Sequence, residues 1–316
     1  MGIFSRWFKA KPPVLRLPAP ETPLPTYEPA LPPPQRSDFE RERFSRPMMA
    51  KKAHIIVFAN EKGGVGKSTT AFHTCVALCN AGETVAALDL DLRQRTLGRA
   101  MDAREDTARH YGVTLPGPRH VVLNQANEAG LEAEIRMAQI DCGFVIIDVG
   151  GHDSPIARRA IFMADTIVTP VNDSFIDLDM LGHIDIHTGE FKTLGPFARL
   201  VEHLKEPGLG HRARPLDWVV MQNRSRSLAS KNERKFLDAL RAIAPPAGFR
   251  LIPGLRERVI YRELFPLGLT LFDLKFIPSL GRAQPAALKE LAEMLAALQL
   301  PSQTTLKSDA FYAGEG

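Results

Sequence analysis

Asn60-Glu61-Lys62-Gly63-Gly64-Val65-Gly66-Lys67-Ser68-Thr69-Thr70, residues 60–70, decides how this chain is read. The apolar run Ile55 to Ala59 before it predicts a buried strand, and Ala71 to Leu78 after it has helical spacing. Strand, glycine-rich loop and helix form the setting of a phosphate-binding loop. Gly63, Gly64 and Gly66, with Val65 between them, let backbone N–H groups turn toward phosphate oxygens, and the helix N-terminus adds partial positive charge. Lys67 is placed to reach the β- and γ-phosphates. The hydroxyl of Ser68, which Thr69 follows, is placed to ligate Mg²⁺. The loop departs from the standard pattern, because Glu61 stands where glycine is usual and a second lysine, Lys62, directly precedes the glycine pair.

Working outward, Thr84 to Asp89 predicts a second strand, with a continuous apolar run suited to a strand covered on both faces. It ends in Asp89-Leu90-Asp91. Carboxylates at the C-terminal end of a parallel strand, near a phosphate loop, suit metal and water chemistry. If the strand runs through both, Asp89 and Asp91 point to one side; the alternative is an N-cap for the next helix. Residues 100–118 read as polar and irregular. His120–Leu123 predicts a short strand and Glu128–Gln139 a helix. Phe144 to Asp148, FVIID, is an apolar run ending in aspartate, the pattern that places Asp148 to hold Mg²⁺, through water. Gly150-Gly151 after it permits a switch loop, and Ser154-Pro155 opens a helix.

Further strands are expected at Thr166–Pro170, at Asp217–Gln222 and just before Pro253-Gly254, a pair placed to flank a nucleotide base. Asn172–Gly182 reads as a loop entering a short helix, and residues 183–214 are the least readable, with a helix near Phe197–Leu204. Helices are expected at Ala229–Ile243, at Arg258–Leu267 until Pro266 stops it, and at Ala286–Leu298. The expected class is α/β: a P-loop fold with a mainly parallel, twisted sheet and helices on both faces.

Eleven of the 25 prolines fall in residues 1–50, which predicts a disordered tail before a domain at 51–300 and a loose end at 301–316. Ile3, Phe4, Trp7 and Phe8 are spaced for a short amphipathic helix that touches a membrane or a partner; a solvated tail is the alternative. No apolar run reaches the roughly 18 residues of a membrane-spanning helix, and no secretory signal is evident. Cys75, Cys79 and Cys142 have no metal-ligand spacing and read as buried free thiols in a reducing cytosol. The net charge is +4, yet residues 222–262 hold ten Lys or Arg against three Asp or Glu. That excess predicts a face for a polyanion, with Arg224, Arg226, Lys231, Arg234, Lys235 and Arg241 as candidate contacts to DNA phosphates.

Four stretches carry a family resemblance: NEKGGVGKST (60–69), LDLDLRQRT (88–96), TPVNDSFIDLDMLG (169–182) and RVIYRELFPLGLTLFDL (258–274), supported by DWVVMQNR (217–224). The first resembles the ParA/MinD superfamily of deviant P-loop ATPases; the rest are similar to its MipZ branch, over residues 52–300. The resemblance implies slow ATP hydrolysis, with Mg²⁺, in a switch that positions the division plane. It implies an ATP-bound homodimer in which Lys62 crosses to the partner's nucleotide. Asp91 would prepare the attacking water, and Asn223 with Arg224 would meet the adenine. The implied partners are nonspecific DNA, the tubulin-like FtsZ and a ParB-type centromere-binding protein, in the cytoplasm on the nucleoid, with a gradient from the pole. This chain departs from the family's Asp-Thr-Pro-Gly-Gly by having Asp148-Val149-Gly150-Gly151. Alternatives are an ordinary ParA-type partitioning ATPase, a membrane-recruited MinD-like switch, and an iron–sulfur ATPase, against which Cys142 stands without a second suitably placed cysteine.

Overall fold

The computed structural model describes residues 53–185, 187–205, 215–225, 231–281 and 284–301. The expected tail at 1–50 with its segment Met1–Lys11, the Arg226 residue, the Lys231 side chain and residues 302–316 lie outside what is described. In chain order the elements are β1 (His54–Phe58), α1 (Lys67–Asn80), β2 (Val85–Asp89), α2 (Thr96–Tyr111), β3 (Arg119–Val121), α3 (Glu128–Asp141), β4 (Phe144–Asp148), α4 (Pro155–Met163) and β5 (Thr166–Val171). Then come α5 (Phe175–Leu181), β6 (Gly182–Ile184), β7 (Phe191–Leu194), α6 (Pro196–Lys205), β8 (Asp217–Gln222), α7 (Lys231–Ala247), β9 (Arg250–Ile252), α8 (Val259–Leu264) and α9 (Pro285–Ala297).

Seven strands form one sheet in the order β3-β2-β4-β1-β5-β8-β9. All of its pairs are parallel. Parallel strands need helical crossovers, so both faces are covered and the central strands β1, β2, β4 and β5 are largely apolar and buried. Alternation divides the side chains between two cores. Ile55 and Val57 face Leu131, Ile161, Phe197 and Leu240 of α3, α4, α6 and α7. Ile56 and Phe58 face Phe72, Leu97, Tyr261 and Leu291 of α1, α2, α8 and α9. The α/β class and helices on both faces are as the sequence predicts.

Residues 113–118 form the irregular connection to β3, but residues 100–111 are helical rather than irregular, since α2 runs to Tyr111 and is capped by Gly112 at φ 63°. Its buried stripe is Leu97, Ala100, Met101, Arg104 and Thr107. The second half of that stripe is polar, which hides the helical period. Arg104 is only 4% exposed, and its guanidinium grips Asp273 with two bonds of 2.9 and 2.7 Å. It also donates to the carbonyls of Gly268 and Pro116. Gly268, at φ 64°, lies so close that a Cβ there would come within 2.1 Å of the Arg104 backbone nitrogen. The stretch 258–274 is thereby clamped onto α2. A small antiparallel pair, β6 and β7, occupies part of the least readable stretch and packs Gly182 against Ile243 of α7.

Candidate functional site

The phosphate loop leaves the C-terminal end of β1, between β4 and β5, where ligands bind in open α/β sheets. Asn60 fixes its start. The Asn60 side-chain amide donates to the Pro170 carbonyl at 2.8 Å, and its oxygen accepts from the Lys62 N–H at 2.9 Å. Gly64 and Gly66 have φ of 78° and 96°, the left-handed region that favours glycine, so the chain turns twice before α1 begins. Val65 is fully buried.

The two lysines differ in setting. Lys67 is folded in: it is 7% exposed and its Nζ donates to the Lys62 carbonyl at 2.8 Å. Burial pulls its pKa down, against the opposing pull of Asp148 and Asp91. The Lys62 side chain is 35% exposed, and its ammonium pairs with the fully buried carboxylate of Asp177 at the start of α5. The other Asp177 oxygen accepts from the Asn172 N–H. Asp177 belongs to a stretch the sequence reading singled out, but its contact with Lys62 depends on β5 lying beside β1.

Asp148 ends β4 and is 1% exposed. Its carboxyl is pushed up to about 7, chiefly by burial and further by Asp89 and Asp91, against the Ser68 hydroxyl and Lys67, which pull it down. Its Oδ1 is buried without a hydrogen-bond partner. A buried oxygen lacking a partner, beside a hydroxyl and near two other carboxylates, fits a divalent cation, and Ser68 and Asp148 could hold it.

Asp89 and Asp91 do not share a strand face, because β2 ends at Asp89. Asp89 accepts from the backbone N–H of Asp91 and of Gly98, both at 2.9 Å, and so holds the turn into α2. Burial raises its pKa. Asp91 accepts from the Gln94 N–H at 3.0 Å. Neither is the N-cap, which is Arg95; Asp89 reaches the first turn of α2 at Gly98, and Asp91 closes the turn before the helix. Gly151 of the switch loop lies on the phosphate loop, where a Cβ would meet the Gly63 nitrogen at 3.0 Å.

A cavity of about 380 Å³ adjoins the loop, lined among others by Gly66, Thr69, Asn223, Arg224, Tyr261 and Phe265. Two loops build it. The Arg224 N–H donates to the Leu255 carbonyl at 2.7 Å, and the Glu257 N–H donates to the Ser225 carbonyl at 3.0 Å. Gly254 is needed there, since a Cβ would lie 1.7 Å from the Gln222 oxygen. The cavity has the place expected for a ribose and base. Pro253 is exposed and does not line it; Leu255, Arg256 and Arg258 do. Asn223, buried, donates from its side chain to the Val65 carbonyl at 2.8 Å, tying the base loop to the phosphate loop. That contact between residues 158 apart is invisible in the sequence.

Of the candidate DNA contacts, Arg234, Lys235 and Arg241 are exposed on α7, with Arg241 paired to Asp238. Arg224 sits apart from them at the cavity. The three cysteines are free; Cys75 and Cys142 are buried, Cys79 is half-buried, and burial pushes the Cys79 thiol up to about 12. Among the described residues no group of three His, Cys, Asp or Glu could hold a metal ion, and no helix is long and apolar enough to cross a membrane.

A parallel sheet with a two-lysine phosphate loop at its central strand defines a P-loop ATPase of the ParA/MinD kind. The family model described as ATPase MipZ matches residues 54–302, and the chain belongs to that family. It is 31% identical over 124 residues to a protein named ParA from Rhizobium radiobacter, covering 39% of this chain and 50% of that one. The chain thus spans about half the length of that relative. In fold it is similar to the ATP complex of Cyanothece McdA(D38A), with a TM-score of 0.56, 19% identity, and 80% and 98% of the two chains covered. The septum site-determining protein MinD with Mg-ADP from Pyrococcus horikoshii gives a TM-score of 0.50 at 18% identity, with 79% and 100% covered. The chain is thus a member of the ATPase MipZ family with a sequence relative named ParA.

Proposed function

We propose that this ATPase is a nucleotide-controlled dimer that positions the division plane. ATP with Mg²⁺ joins two subunits face to face, and hydrolysis returns monomers. The observation that carries this reading is the unequal pair of lysines on one loop. Lys67 is folded in, where it can serve its own subunit's phosphates, while Lys62 is partly exposed and can cross to the partner's. Phosphoryl transfer needs chiefly charge placed around the phosphates. Mg²⁺, held through Ser68 and Asp148, would neutralise charge on the phosphate oxygens. Backbone N–H groups of Gly63 to Thr69 would cradle the phosphates, and Asn223 and Arg224 would border the base.

Asp91 is assigned to preparing the attacking water. Asp91→Ala then keeps ATP binding and dimerisation but loses turnover. Hydrolysis by this variant at the wild-type rate would remove the assignment.

The dimer would bind nucleoid DNA without reading sequence, oppose FtsZ assembly and take its position from a ParB-type protein. Arg234, Lys235 and Arg241 are the described contacts proposed on α7. Arg234 and Lys235, which have no acidic partner among the described residues as Arg241 has in Asp238, carry the test. Titration of DNA binding with salt, ATP present, tests this. The logarithm of affinity should fall linearly with that of salt, and replacing both residues by alanine should reduce the slope by about two. Affinity insensitive to salt, or unchanged in the double variant, would refute the DNA face. The likeness to ParA leaves chromosome or plasmid partitioning as the second reading. FtsZ sedimentation separates the two, since a partitioning ATPase leaves FtsZ polymers in the pellet unchanged.

A further inference from the structure

His152 has no role in the reading above, yet its ring lies on the loop after Asp148, close to Asp91. Its ring folds back over Gly150. A Cβ built on Gly150 would stand 3.1 Å from His152 Cε1, 3.2 Å from Nδ1 and 3.7 Å from the Cβ of Asp91. The imidazole and the proposed water-orienting aspartate therefore border one small space, kept open by a residue without a side chain.

The loop is held on both sides of His152. Gly151 rests on the backbone of Lys62 and Gly63. Asp153 is gripped by the Arg158 guanidinium, through Nε at 2.8 Å and through Nη2. The ring is exposed between these two anchors, so it can meet a ligand and exchange protons with solvent. The Asp91 carboxylate is partly engaged, capping the Gln94 N–H. A second group beside the water position would therefore share the chemistry.

We propose that His152 is a catalytic residue of the ATPase reaction, whose imidazole hydrogen-bonds the attacking water beside Asp91 and takes its proton. The water oxygen bonds to the γ-phosphorus as the bond from that phosphorus to the β–γ bridging oxygen breaks. ADP leaves with that electron pair. Asp91 orients the water, and His152 receives one of its protons and releases it to solvent, returning to the neutral ring. This rests on the family's ATPase activity and on the assignment of Asp91, and is independent of the cellular role.

The test compares full-length His152→Ala and His152→Phe with the wild type, measuring turnover, KM for ATP and dimerisation with a non-hydrolysable analogue. Phenylalanine keeps a ring over Gly150 without its nitrogens. Both variants should lose turnover by roughly tenfold to a hundredfold, in the range of a positioned general base, with KM and dimerisation unchanged. Added imidazole should raise turnover of the alanine variant, which has room for it, and leave the phenylalanine variant and Asp91→Ala unaffected. Wild-type turnover in either His152 variant would overturn the proposal. So would joint loss of turnover and analogue binding in the alanine variant, or failure of imidazole to accelerate it. If the wild type hydrolyses ATP without dimerising, the switch reading fails while the comparison of turnover still judges His152.

Discussion

Lys67→Ala is expected to weaken ATP binding by roughly a hundredfold or more and to leave the chain monomeric with any nucleotide. Removing one partner of a buried charged contact costs about 2–5 kcal/mol, and about 2.7 kcal/mol is already a hundredfold. Lys67, 7% exposed on the phosphate loop, would be that partner to the phosphates once ATP is bound. Lys62→Ala should behave differently. Its side chain is 35% exposed, so the single subunit keeps ATP binding within severalfold while the dimer is lost, although the fully buried Asp177 left unpaired lowers the variant's stability. Calorimetric titration with ATP, paired with light scattering, separates the two variants. Equal losses of ATP binding in both would contradict the division of labour between the lysines.

Asp273→Ala is expected to destabilise the fold by about 3–5 kcal/mol, the usual penalty for leaving one member of a buried ion pair uncompensated. The Asp273 side chain is fully buried and Arg104 nearly so. Besides the Arg104 fork, Asp273 accepts from the Thr270 N–H at 2.7 Å and from its hydroxyl at 2.8 Å. All of these are lost at once. Replacing Arg104 and Asp273 together by methionine and leucine should recover much of the loss, because no charge is then stranded. Urea unfolding of the three proteins measures this. A loss below about 1 kcal/mol in Asp273→Ala would mean that the pair does not clamp residues 258–274 onto α2. Tyr261 and Phe265 in that segment line the base cavity, so the single variant should also bind ATP more weakly.

The phosphate loop, the strand ending in Asp148 and the final covering helix could be read in the chain because each signal is local. Glycines at fixed offsets, an apolar run closed by a carboxylate and leucines at helical spacing need no distant partner. What escaped the reading depends on contacts across the fold. The α2 helix is hidden because Arg104 and Thr107 take positions where apolar residues would announce it. Arg104 is tolerable inside only because Asp273, 169 residues away, meets it. Asn223 could be named from its motif, but its bond to the Val65 carbonyl could not, and Pro253, expected to flank the base, is exposed while Leu255 and Arg256 line the cavity. The expectation that Asp89 and Asp91 share a strand face fails because the strand stops at Asp89, and the place of Asp91 is set by the turn into α2.

Whether ATP pairs two of these chains is tested most directly by measuring the mass of the full-length protein in solution with ADP, with ATP and with a non-hydrolysable analogue. A dimer with the analogue, a monomer with ADP, and a return to monomer as ATP is consumed are the expected result. One unchanged mass at saturating concentrations of all three would contradict it.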